Sequence, residues 1–379
     1  MPWQEVSTVL LRQEFVMLAS VEGANVRALC RRYTISPKTG YKWLGRYRRQ
    51  GRAGVTDRSR RPHRSPTRTV PALEQAALAV RAAHPVWGGR KIRAVLVARG
   101  HPTLPSPSTM TAILKRHGQI APEAAPQHTA WQRFEHDAPN RLWQMDFKGH
   151  FALLAGRCHP LTVLDDHSRF AVGLQACGDQ TGQTVQARLT ACFRRYGLPE
   201  AILVDNGPPW GSDAEHPHTP LTAWLIRLGV RIRHGRPYHP QTQGKDERFH
   251  RTLKAEVLGT RVLRDLAQCQ REFDRWREVY NLQRPHEALA MAVPASRYRV
   301  SPRAFPEVLP PIEYGPADLV RKVAEGGELS YRNRTFRVGK AFRGYPVALR
   351  PTLVDGVLDV FFCHQRVAQV NLRNHEELH

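Results

Sequence analysis

The spacing of apolar residues changes twice along this chain, and that change limits the fold more than any other feature of the sequence. Up to about residue 118 the apolar residues recur at helical spacing. From residue 139 short apolar strands alternate with helical segments, and beyond residue 316 only short β-like runs remain. A period near 3.6 residues buries one face of a helix, whereas a period of two buries one face of a strand. The sequence therefore predicts a multidomain protein: all-α first, α/β in the middle, β last.

Residues 1–50 are predicted to form a helix-turn-helix domain. Ser36 is placed to cap a helix whose first residue is Pro37, because a proline at that position gives up no hydrogen bond. The helix that follows is basic, which is the arrangement of a DNA-binding helix-turn-helix, although many helical hairpins share the bare pattern. Residues 51–71, rich in arginine and poor in apolar residues, are predicted to be an extended basic linker.

A second helical domain is predicted at residues 72–118, followed by a linker at 119–138. It contains the run WGGRKI (87–92) before a basic helix, and we expect a second, winged-helix-like, helix-turn-helix. A purely structural helical domain is the alternative. The basic residues predicted to contact DNA, here and elsewhere, are Lys38, Lys42, Arg46, Arg48, Arg49, Arg58, Arg60, Arg61, Arg90, Lys91, Lys245, Arg248 and Arg251.

The charge of the chain supports a polyanionic partner. Its 57 Lys+Arg and 33 Asp+Glu give a formal charge of +24, and the first 70 residues hold 15 Lys/Arg against 4 Asp/Glu. Such an excess repels itself unless a polyanion lies nearby, so double-stranded DNA is the first partner to consider and a membrane surface the second. A solvated basic tail is the alternative for the first segment, but its apolar residues at helical spacing argue against that.

The remaining regions follow from the same patterns. Residues 139–294 are predicted to form an α/β core with a mixed sheet, residues 295–316 a proline-punctuated linker, and residues 317–373 a small β-barrel. The six cysteines contain no C-x-x-C pair, so neither a disulfide framework nor a cysteine zinc site is expected. The N-terminus lacks the pattern of a signal peptide, and no stretch reaches the roughly 18 apolar residues of a spanning helix. We therefore expect a cytoplasmic protein.

Three acidic residues stand at positions suited to chemistry. Asp146 ends one predicted strand and Asp205 ends another, at the sheet edge where ligands bind in open α/β sheets. Glu247 lies in the first turns of a predicted helix. Such carboxylates can hold Mg²⁺, and two ions about 3.5–4 Å apart can serve both the attacking and the leaving oxygen of a phosphoryl transfer. Each acid also has a structural interpretation, in which the aspartates cap loops and Glu247 complements a helix dipole.

Four stretches of the middle region carry a resemblance to a known family. They are WQMDF (143–147), LTVLDDHSRF (161–170), DNGPPW (205–210) and RPYHPQTQGKDERFHRTLK (236–254). Residues 140–294 resemble the catalytic core of bacterial insertion-sequence transposases of the retroviral-integrase type, and the helical domains resemble the DNA-binding half of the same proteins. The 41 residues between Asp205 and Glu247 are somewhat more than is usual in that family, which indicates a lengthened surface loop.

The resemblance implies a ribonuclease-H-like core in which Asp146, Asp205 and Glu247 form a DDE triad that holds Mg²⁺ or Mn²⁺, with two ions per site. It implies a DNA transposase in the bacterial cytoplasm that cleaves 3′ ends at the terminal inverted repeats of an element and joins them to target DNA. Two DNA ends must be brought together, so at least a homodimer on DNA is expected. A sequence-specific DNA-binding protein with a disused core, and a plain nuclease, are the competing hypotheses.

Residues near the three acids have weaker assignments. Asp165 and Asp166 fit a hairpin turn better than a metal site, because Asp and Ser satisfy turn backbone. Lys245, Arg248 and Arg251 share a helix with Glu247 and are predicted to contact phosphate, with pairing to acids of the same helix as the alternative. His239 and Gln243 fit either a DNA contact or a loop-stabilising role. No zinc site is expected at His216 and His218, which have no cysteine partner.

Overall fold

The computed structural model describes residues 7–59, 68–120, 135–211, 217–235, 244–259 and 262–373, and the chain divides into two compact units, Met1–Arg68 and Thr69–His379. Arg60 and Arg61, both predicted DNA contacts, lie outside the described residues, as do His216, His239 and Gln243. Within the described residues no helix is long and apolar enough to cross a membrane.

The first unit contains three helices, α1 (Thr8–Ala19), α2 (Val26–Arg32) and α3 (Pro37–Gln50). The predicted cap of α3 is confirmed, since the Ser36 hydroxyl accepts a hydrogen bond from the Thr39 amide at 3.2 Å. Gly40 allows α3 to approach its neighbours, because a Cβ at that position would collide with Cys30 and Phe15. The buried core of this unit consists of Phe15, Val16, Ala19, Cys30, Trp43, Leu44 and Val55.

The first domain extends into the predicted linker 51–71. Residues Gly51–Val55 form a 3₁₀ helix that packs on α3, and Val55 is completely buried. The Arg12 side chain donates to Asp57 at 3.0 Å. A single apolar residue in a basic stretch gives no periodic signal. The predicted domain boundary at residue 50 therefore lies several residues before the boundary in the structure.

The second helical domain contains α4 (Pro71–Ala83), α5 (Gly89–Ala98) and α6 (Pro107–Arg116) around buried Trp87. The buried Glu74 of α4 pairs with Arg116 and, at 3.2 Å, with His117, so α6 is tied to α4 by charge. The three helices agree with the predicted helical spacing. Residues 68–120 contain no strand, so the β wing of the predicted winged-helix-like domain is absent there.

A mixed sheet forms the centre of the second unit. Its strands within the described residues are β1 (Trp143–Phe147), β2 (Phe151–Ala152), β3 (Arg157–Asp165), β4 (Ala171–Cys177), β5 (Ala201–Val204) and β6 (Arg231–His234). The order is β2-β3-β1-β5-β6, with β4 on the outer side of β3. Strand β1 runs antiparallel to β3 and parallel to β5, and β5 runs parallel to β6. The predicted mixed α/β core is therefore present.

Helices cover both faces of this sheet. They are α7 (Gly182–Tyr196), α8 (Pro220–Arg227), α9 (Gly244–Leu253), which continues as a π-helical turn over Lys254–Leu258, and α10 (Leu266–Leu282). Phe193 of α7 and Leu225 of α8 belong to a cluster that includes Trp143 of β1. Phe249 of α9 and Phe273 of α10 pack on the opposite face. This two-sided burial fixes α9 beside the sheet.

Residues 295–316 do not form a linker. Tyr298 stacks on Phe170 with ring centroids 4.2 Å apart, and the Ser301 hydroxyl donates to the carbonyl of Leu198 at 2.7 Å. The Arg303 guanidinium donates to the carbonyls of Pro199 at 2.6 Å and Gly229 at 2.8 Å. The segment is an irregular strap on the core, and because it packs through single contacts rather than a repeating face, its sequence shows no period.

The C-terminal region is β-rich, as predicted. It contains β7 (Leu319–Lys322), β8 (Glu328–Tyr331), β9 (Arg334–Arg337), β10 (Pro346–Pro351), β11 (Val357–Phe362) and β12 (Gln365–Asn371). Four of them form an antiparallel sheet in the order β12-β11-β10-β7, and β8 pairs with β9. In residues 317–373 no pairing joins β7 to β12, so the structure shows two open sheets in place of the predicted closed barrel.

Candidate active site

Asp146 and Asp205 lie side by side at one edge of the sheet. In the parallel pairing of β1 and β5, Trp143 is opposite Ile202 and Gln144 is opposite Leu203. The same register, continued by two residues, places Asp146 level with Asp205. Residues level in parallel strands point to the same face. The fold thus brings together two of the predicted site residues, which are far apart in sequence.

The two carboxylates influence each other. The pKa of Asp146 is raised to about 6, mainly by burial and to a smaller extent by the negative charge of Asp205, whereas a hydrogen bond from the Phe147 amide lowers it. Asp205 is exposed, and its Oδ1 accepts a hydrogen bond from the Asn206 amide at 2.8 Å. Within the described residues neither carboxylate has an ion-pair partner. This is an acidic pair without its counter-charge.

The loop after β5 is anchored to the end of β6. The His234 imidazole Nδ1 donates to the Asp205 carbonyl at 3.2 Å, and the Asn206 side chain donates to the Gly235 carbonyl at 3.1 Å. Burial lowers the pKa of His234, which keeps the ring neutral. Sequence reasoning missed His234, because its position at the end of a strand beside Asp205 becomes visible only when β5 and β6 pair.

Helix α9 is docked against β1 through a hydrogen-bond chain. The Thr162 hydroxyl, opposite Asp146 on β3, donates to the Asp146 carbonyl at 3.0 Å. His250 Nε2 lies 2.9 Å from the same hydroxyl oxygen and is therefore the donor to it. Burial lowers the pKa of His250 to about 4. His250 is three residues after Glu247, so this chain connects the face of α9 that carries Glu247 with the strand of Asp146.

The two neighbouring acids of α9 differ in environment. Glu247 is exposed, whereas Asp246 is buried, and its Oδ1 has no hydrogen-bond partner among the described residues. The pKa of Asp246 is raised well above its ordinary value by burial, then by the charges of Asp146 and Asp166. Sequence reasoning missed Asp246, because an acid beside a glutamate in a polar helix looks like surface.

The structure does not gather the complete predicted triad. Within the described residues no three histidine, cysteine, aspartate or glutamate side chains lie close enough to hold one ion. Asp146 and Asp205 are neighbours, and Glu247 stays exposed on α9. The donor set still fits a divalent cation: carboxylate oxygens with a raised pKa and a buried, unpartnered oxygen of Asp246 are groups that a hard cation would stabilise.

Asp165 and Asp166 occupy the turn between β3 and β4. Asp165 Oδ1 accepts from the Ser168 amide and hydroxyl at 2.8 and 2.5 Å, and its Oδ2 accepts from the Asn140 amide at 2.7 Å. Asp166 accepts from the His136 amide at 2.9 Å and the Gln144 side chain at 2.8 Å, and pairs with Lys245. These contacts support the structural interpretation of the turn. They also occupy the Lys245 ammonium, for which a DNA contact stays a prediction.

Two predicted DNA contacts of the first unit, Lys42 and Arg46, lie over the Trp43 ring at 4.7 and 4.9 Å from its centroid. Arg12, which also pairs with Asp57, lies over the same ring at 4.2 Å. Arg48 and Arg49 are exposed at the end of α3, and so is Lys38 at its beginning. Arg58 is exposed and donates to the Gln50 side chain at 2.8 Å.

In the second unit, Arg248 and Arg251 are exposed on α9, whereas Arg90 and Lys91 lie in the first turn of α5. Arg90 pairs with Glu287 at 3.4 Å.

Family models match five stretches of the chain, in the same order as the domains of the fold. A helix-turn-helix domain matches residues 11–63 and a homeodomain-like domain residues 39–114. Integrase core domain models match residues 136–240 and 228–294, and the C-terminal domain of IS481 family transposases matches residues 318–378.

Relatives among known proteins include the insertion element IS407 uncharacterized 31.7 kDa protein of Burkholderia multivorans, 30% identical over 178 residues, which are 45% of this chain and 62% of that protein. The insertion element IS476 uncharacterized 39.2 kDa protein of Xanthomonas euvesicatoria is 33% identical over 159 residues, 41% of this chain and 44% of that protein. The chain thus spans less than two thirds of the length of these relatives.

Among solved structures, the integrase catalytic core domain of HTLV-2 in complex with magnesium, in its dimeric form, aligns with a TM-score of 0.32 at 14% identity. That alignment covers 42% of this chain and 97% of the other. Matches to helix-turn-helix domains, to the integrase core and to the IS481-type C-terminal domain follow one another along the chain, and in these domains it is similar to insertion-sequence transposases that carry an integrase-type core.

Proposed function

We propose that the protein is a DNA transposase that binds the ends of an insertion element, cleaves the 3′ ends and transfers them into target DNA. The observation that carries the proposal is the acidic pair Asp146 and Asp205, level on adjacent parallel strands of an integrase core and without a cationic partner in the described residues. Two neighbouring carboxylates without a cationic side chain beside them are suited to holding a divalent metal ion at a phosphodiester.

Asp146 and Asp205 would hold Mg²⁺ or Mn²⁺, with Glu247 as the third ligand from α9. When bound, a pair of such ions would supply charge stabilisation for both the entering and the leaving oxygen of the phosphoryl transfer. Glu247 is not joined to the aspartates in this structure, so its role as a ligand requires α9 or its side chain to move toward β1.

The chain's own residues position this chemistry. Thr162 and His250 connect the Asp146 backbone to α9, which limits how far Glu247 can move from the acidic pair. Water attacks the phosphodiester at the element end in line with the leaving 3′ oxygen, which departs as a hydroxyl. That 3′-hydroxyl then attacks a phosphodiester of target DNA, loses its proton to solvent and displaces the 3′ oxygen of the target strand, which departs as a hydroxyl. No side chain forms a covalent bond to DNA in either step.

The helical domains would supply recognition of the DNA. In a helix-turn-helix the second helix of the motif enters the major groove, and α3 carries exposed Lys38, Lys42, Arg48 and Arg49 for that purpose. The DNA bound in this way would be the terminal inverted repeats of the element. Because two ends must be joined to one target, the active assembly on DNA would be at least a homodimer.

The test is a strand-transfer assay with the full-length chain, Mg²⁺, a duplex carrying an element end and a target plasmid. We expect wild-type protein to produce cleaved and joined products and Asp205→Asn to produce neither. Asp355→Asn is the matched control, because Asp355 is an exposed aspartate of the C-terminal domain that pairs with Arg373 at 2.8 Å, far from the acidic pair in sequence. Equal product from wild type and Asp205→Asn would refute the role of Asp205. Tight DNA binding without any product from wild type would favour a DNA-binding protein with a disused core.

A further inference from the structure

The sheet of the integrase core ends at a strand whose outer edge is covered by a side chain of the C-terminal region. Strand β6 is the last strand of that sheet in the described part of the chain, and it pairs with β5. The amides of Arg231 and Gly235 donate across this pairing, to the carbonyls of Glu200 at 2.9 Å and Val204 at 3.0 Å. Because backbone groups alternate in direction along a strand, the N–H and C=O of Ile232 face away from β5.

Gln365 occupies both of these backbone groups. The Ile232 amide donates to Gln365 Oε1 at 2.8 Å, and Gln365 Nε2 donates to the Ile232 carbonyl at 3.2 Å. A side-chain amide therefore takes the place that a neighbouring strand would have at this edge. Gln365 begins β12, which belongs to the four-stranded sheet of the C-terminal region, so the two bonds join that sheet to the integrase core.

Aromatic rings make a second connection between the C-terminal region and β6. Phe342 is completely buried, and its ring lies edge-on to that of His218 with centroids 5.3 Å apart. His218, just before α8, lies edge-on to His234 of β6 at 6.1 Å. Phe342 also belongs to the same buried cluster as Val204, the residue before Asp205. The C-terminal region and the carboxyl end of β5 thus share a core.

Strand β6 in turn holds the loop that carries Asp205. The His234 ring, at the end of β6, donates to the Asp205 carbonyl at 3.2 Å, and the Asn206 side chain donates to the Gly235 carbonyl at 3.1 Å. His234 is two residues after the one that Gln365 binds. Because the Asp205 side chain is exposed, its position depends on these backbone contacts rather than on packing of the side chain itself.

We propose that the C-terminal region positions the active site, with Gln365 as a positioning residue that acts through β6 and His234 on Asp205. The inference rests on the proposed function for the role of Asp205, and it deepens that function by giving the C-terminal region a part in the chemistry.

The physical reason is the shortness of β6. It has four residues, and without the Gln365 bonds one of its edges would be open. A loosened β6 would release the Asp205 carbonyl, and the carboxylate would move away from Asp146. The alternative is that Gln365 only shields this edge from pairing with another chain, which predicts no effect at Asp205.

The test is hydrogen–deuterium exchange of the full-length chain, measured by mass spectrometry in peptides that cover residues 201–211. Gln365→Met removes both bonds to Ile232 and keeps a side chain of similar length. The loss of two hydrogen bonds should accelerate exchange in these peptides about tenfold. The matched control is Gln369→Met on the same strand, because Gln369 is exposed and donates to Asp359 at 3.0 Å. Its exchange at residues 201–211 should equal that of wild type.

Two outcomes overturn the proposal. The first is unchanged exchange at residues 201–211 in Gln365→Met, even if β6 or β12 exchanges faster, since Gln365 would then only shield the edge. The second is equal acceleration in Gln365→Met and Gln369→Met. Gln365→Glu keeps the acceptor for the Ile232 amide and loses the donor, so it should give an intermediate acceleration, and it reports even if Gln365→Met folds poorly.

A second pair of variants tests the last step, from His234 to Asp205. The side-chain nitrogen of asparagine lies close to the place of histidine Nδ1, so His234→Asn keeps a donor for the Asp205 carbonyl. His234→Asn should therefore exchange like wild type at residues 201–211, whereas His234→Leu should resemble Gln365→Met. Equal exchange in His234→Asn and His234→Leu would mean that the hydrogen bond does not hold the loop.

Strand transfer by the same proteins separates this inference from the proposed function. Gln365→Met should lower product formation about tenfold, the loss typical when a residue that orients a metal ligand is removed. If exchange changes as expected but wild type makes no cleaved or joined product, the transposase proposal fails and the positioning of Asp205 stands. If wild type performs strand transfer while Gln365→Met exchanges and reacts as Gln369→Met does, only the positioning role fails.

Discussion

Two pairs of aspartates lie at strand ends of the same sheet, yet their surroundings are opposite. Asp165 and Asp166, in the turn after β3, accept five hydrogen bonds at 2.5–2.9 Å from Ser168, Asn140, His136 and Gln144. Among the described residues, Asp146 and Asp205, at the ends of β1 and β5, each accept from the amide of the residue that follows and from no other donor. Protein donors thus satisfy the oxygens of the turn pair, whereas the oxygens of the strand-end pair stay available to a ligand.

This difference distinguishes a structural acid from a ligand. Burying a carboxylate is costly unless donors or a cation compensate it. The fold supplies donors to the turn pair, and burial still raises the pKa of Asp165 against the effect of those bonds. It supplies almost none to Asp146, and it places a second negative charge beside it. We therefore expect mutations in the turn to affect stability and mutations at the strand ends to affect chemistry.

The largest expected effect is on activity. Asp146→Asn removes one of the two level carboxylates, and loss of several kcal/mol of transition-state stabilisation corresponds to a rate reduction of about a thousandfold. Strand transfer at saturating Mg²⁺ measures it, and thermal denaturation should show no loss of stability, since a like-charge repulsion is removed. A variant that is both unfolded and inactive would instead give Asp146 a structural role, like that of the turn pair.

The turn pair should show the reverse behaviour. Asp165→Ala leaves the amides of Ser168 and Asn140 without their acceptor in a buried place, at a cost of about 3 kcal/mol in the free energy of unfolding. Urea denaturation followed by tryptophan fluorescence measures this, with Asp355→Asn as the exposed control. An unchanged midpoint would contradict the structural role of Asp165.

The pH dependence of stability provides a third contrast. The folded pKa of Asp146, about 6, lies above that of an unfolded aspartate, so the folded state binds this proton more tightly. The associated stability is fully present below about pH 4 and is lost as pH rises through 6, a change on the order of 3 kcal/mol. Urea denaturation with a chelator present, from pH 4 upward, should show this decline in wild type and a smaller one in Asp146→Asn. Parallel curves for the two proteins would exclude the effect.

The smallest expected effect concerns Asp166. Asp166→Asn keeps an acceptor for the His136 amide and the Gln144 side chain but removes the charge that holds Lys245. We expect a loss of about 1 kcal/mol in the free energy of unfolding, because hydrogen bonds to a charged group are stronger than those to a neutral one. A loss as large as that of Asp165→Ala would mean that the ion pair, rather than the amide bonds, stabilises the turn.

Local patterns are sufficient to predict most of the secondary structure. The cap at Ser36, the strand that ends at Val204 and the amphipathic α10 are each recognisable within a few residues, and all are present. Strand β6 escapes prediction because its four residues carry little apolar character. In β6 only Ile232 is apolar between charged neighbours, and the strand exists because β5 offers it a parallel partner.

The sequence by itself determined that Asp146 and Asp205 each end a strand and that Glu247 begins a helix. Only the tertiary structure decided that β1 and β5 pair in the register that makes the two aspartates neighbours, and that α9 buries Asp246 while leaving Glu247 at the surface. The packing of the strap at residues 295–316 was likewise decided in three dimensions. The physical reason is that periodicity reports which face of an element is buried, whereas register and charge clustering depend on partners that are distant in the chain.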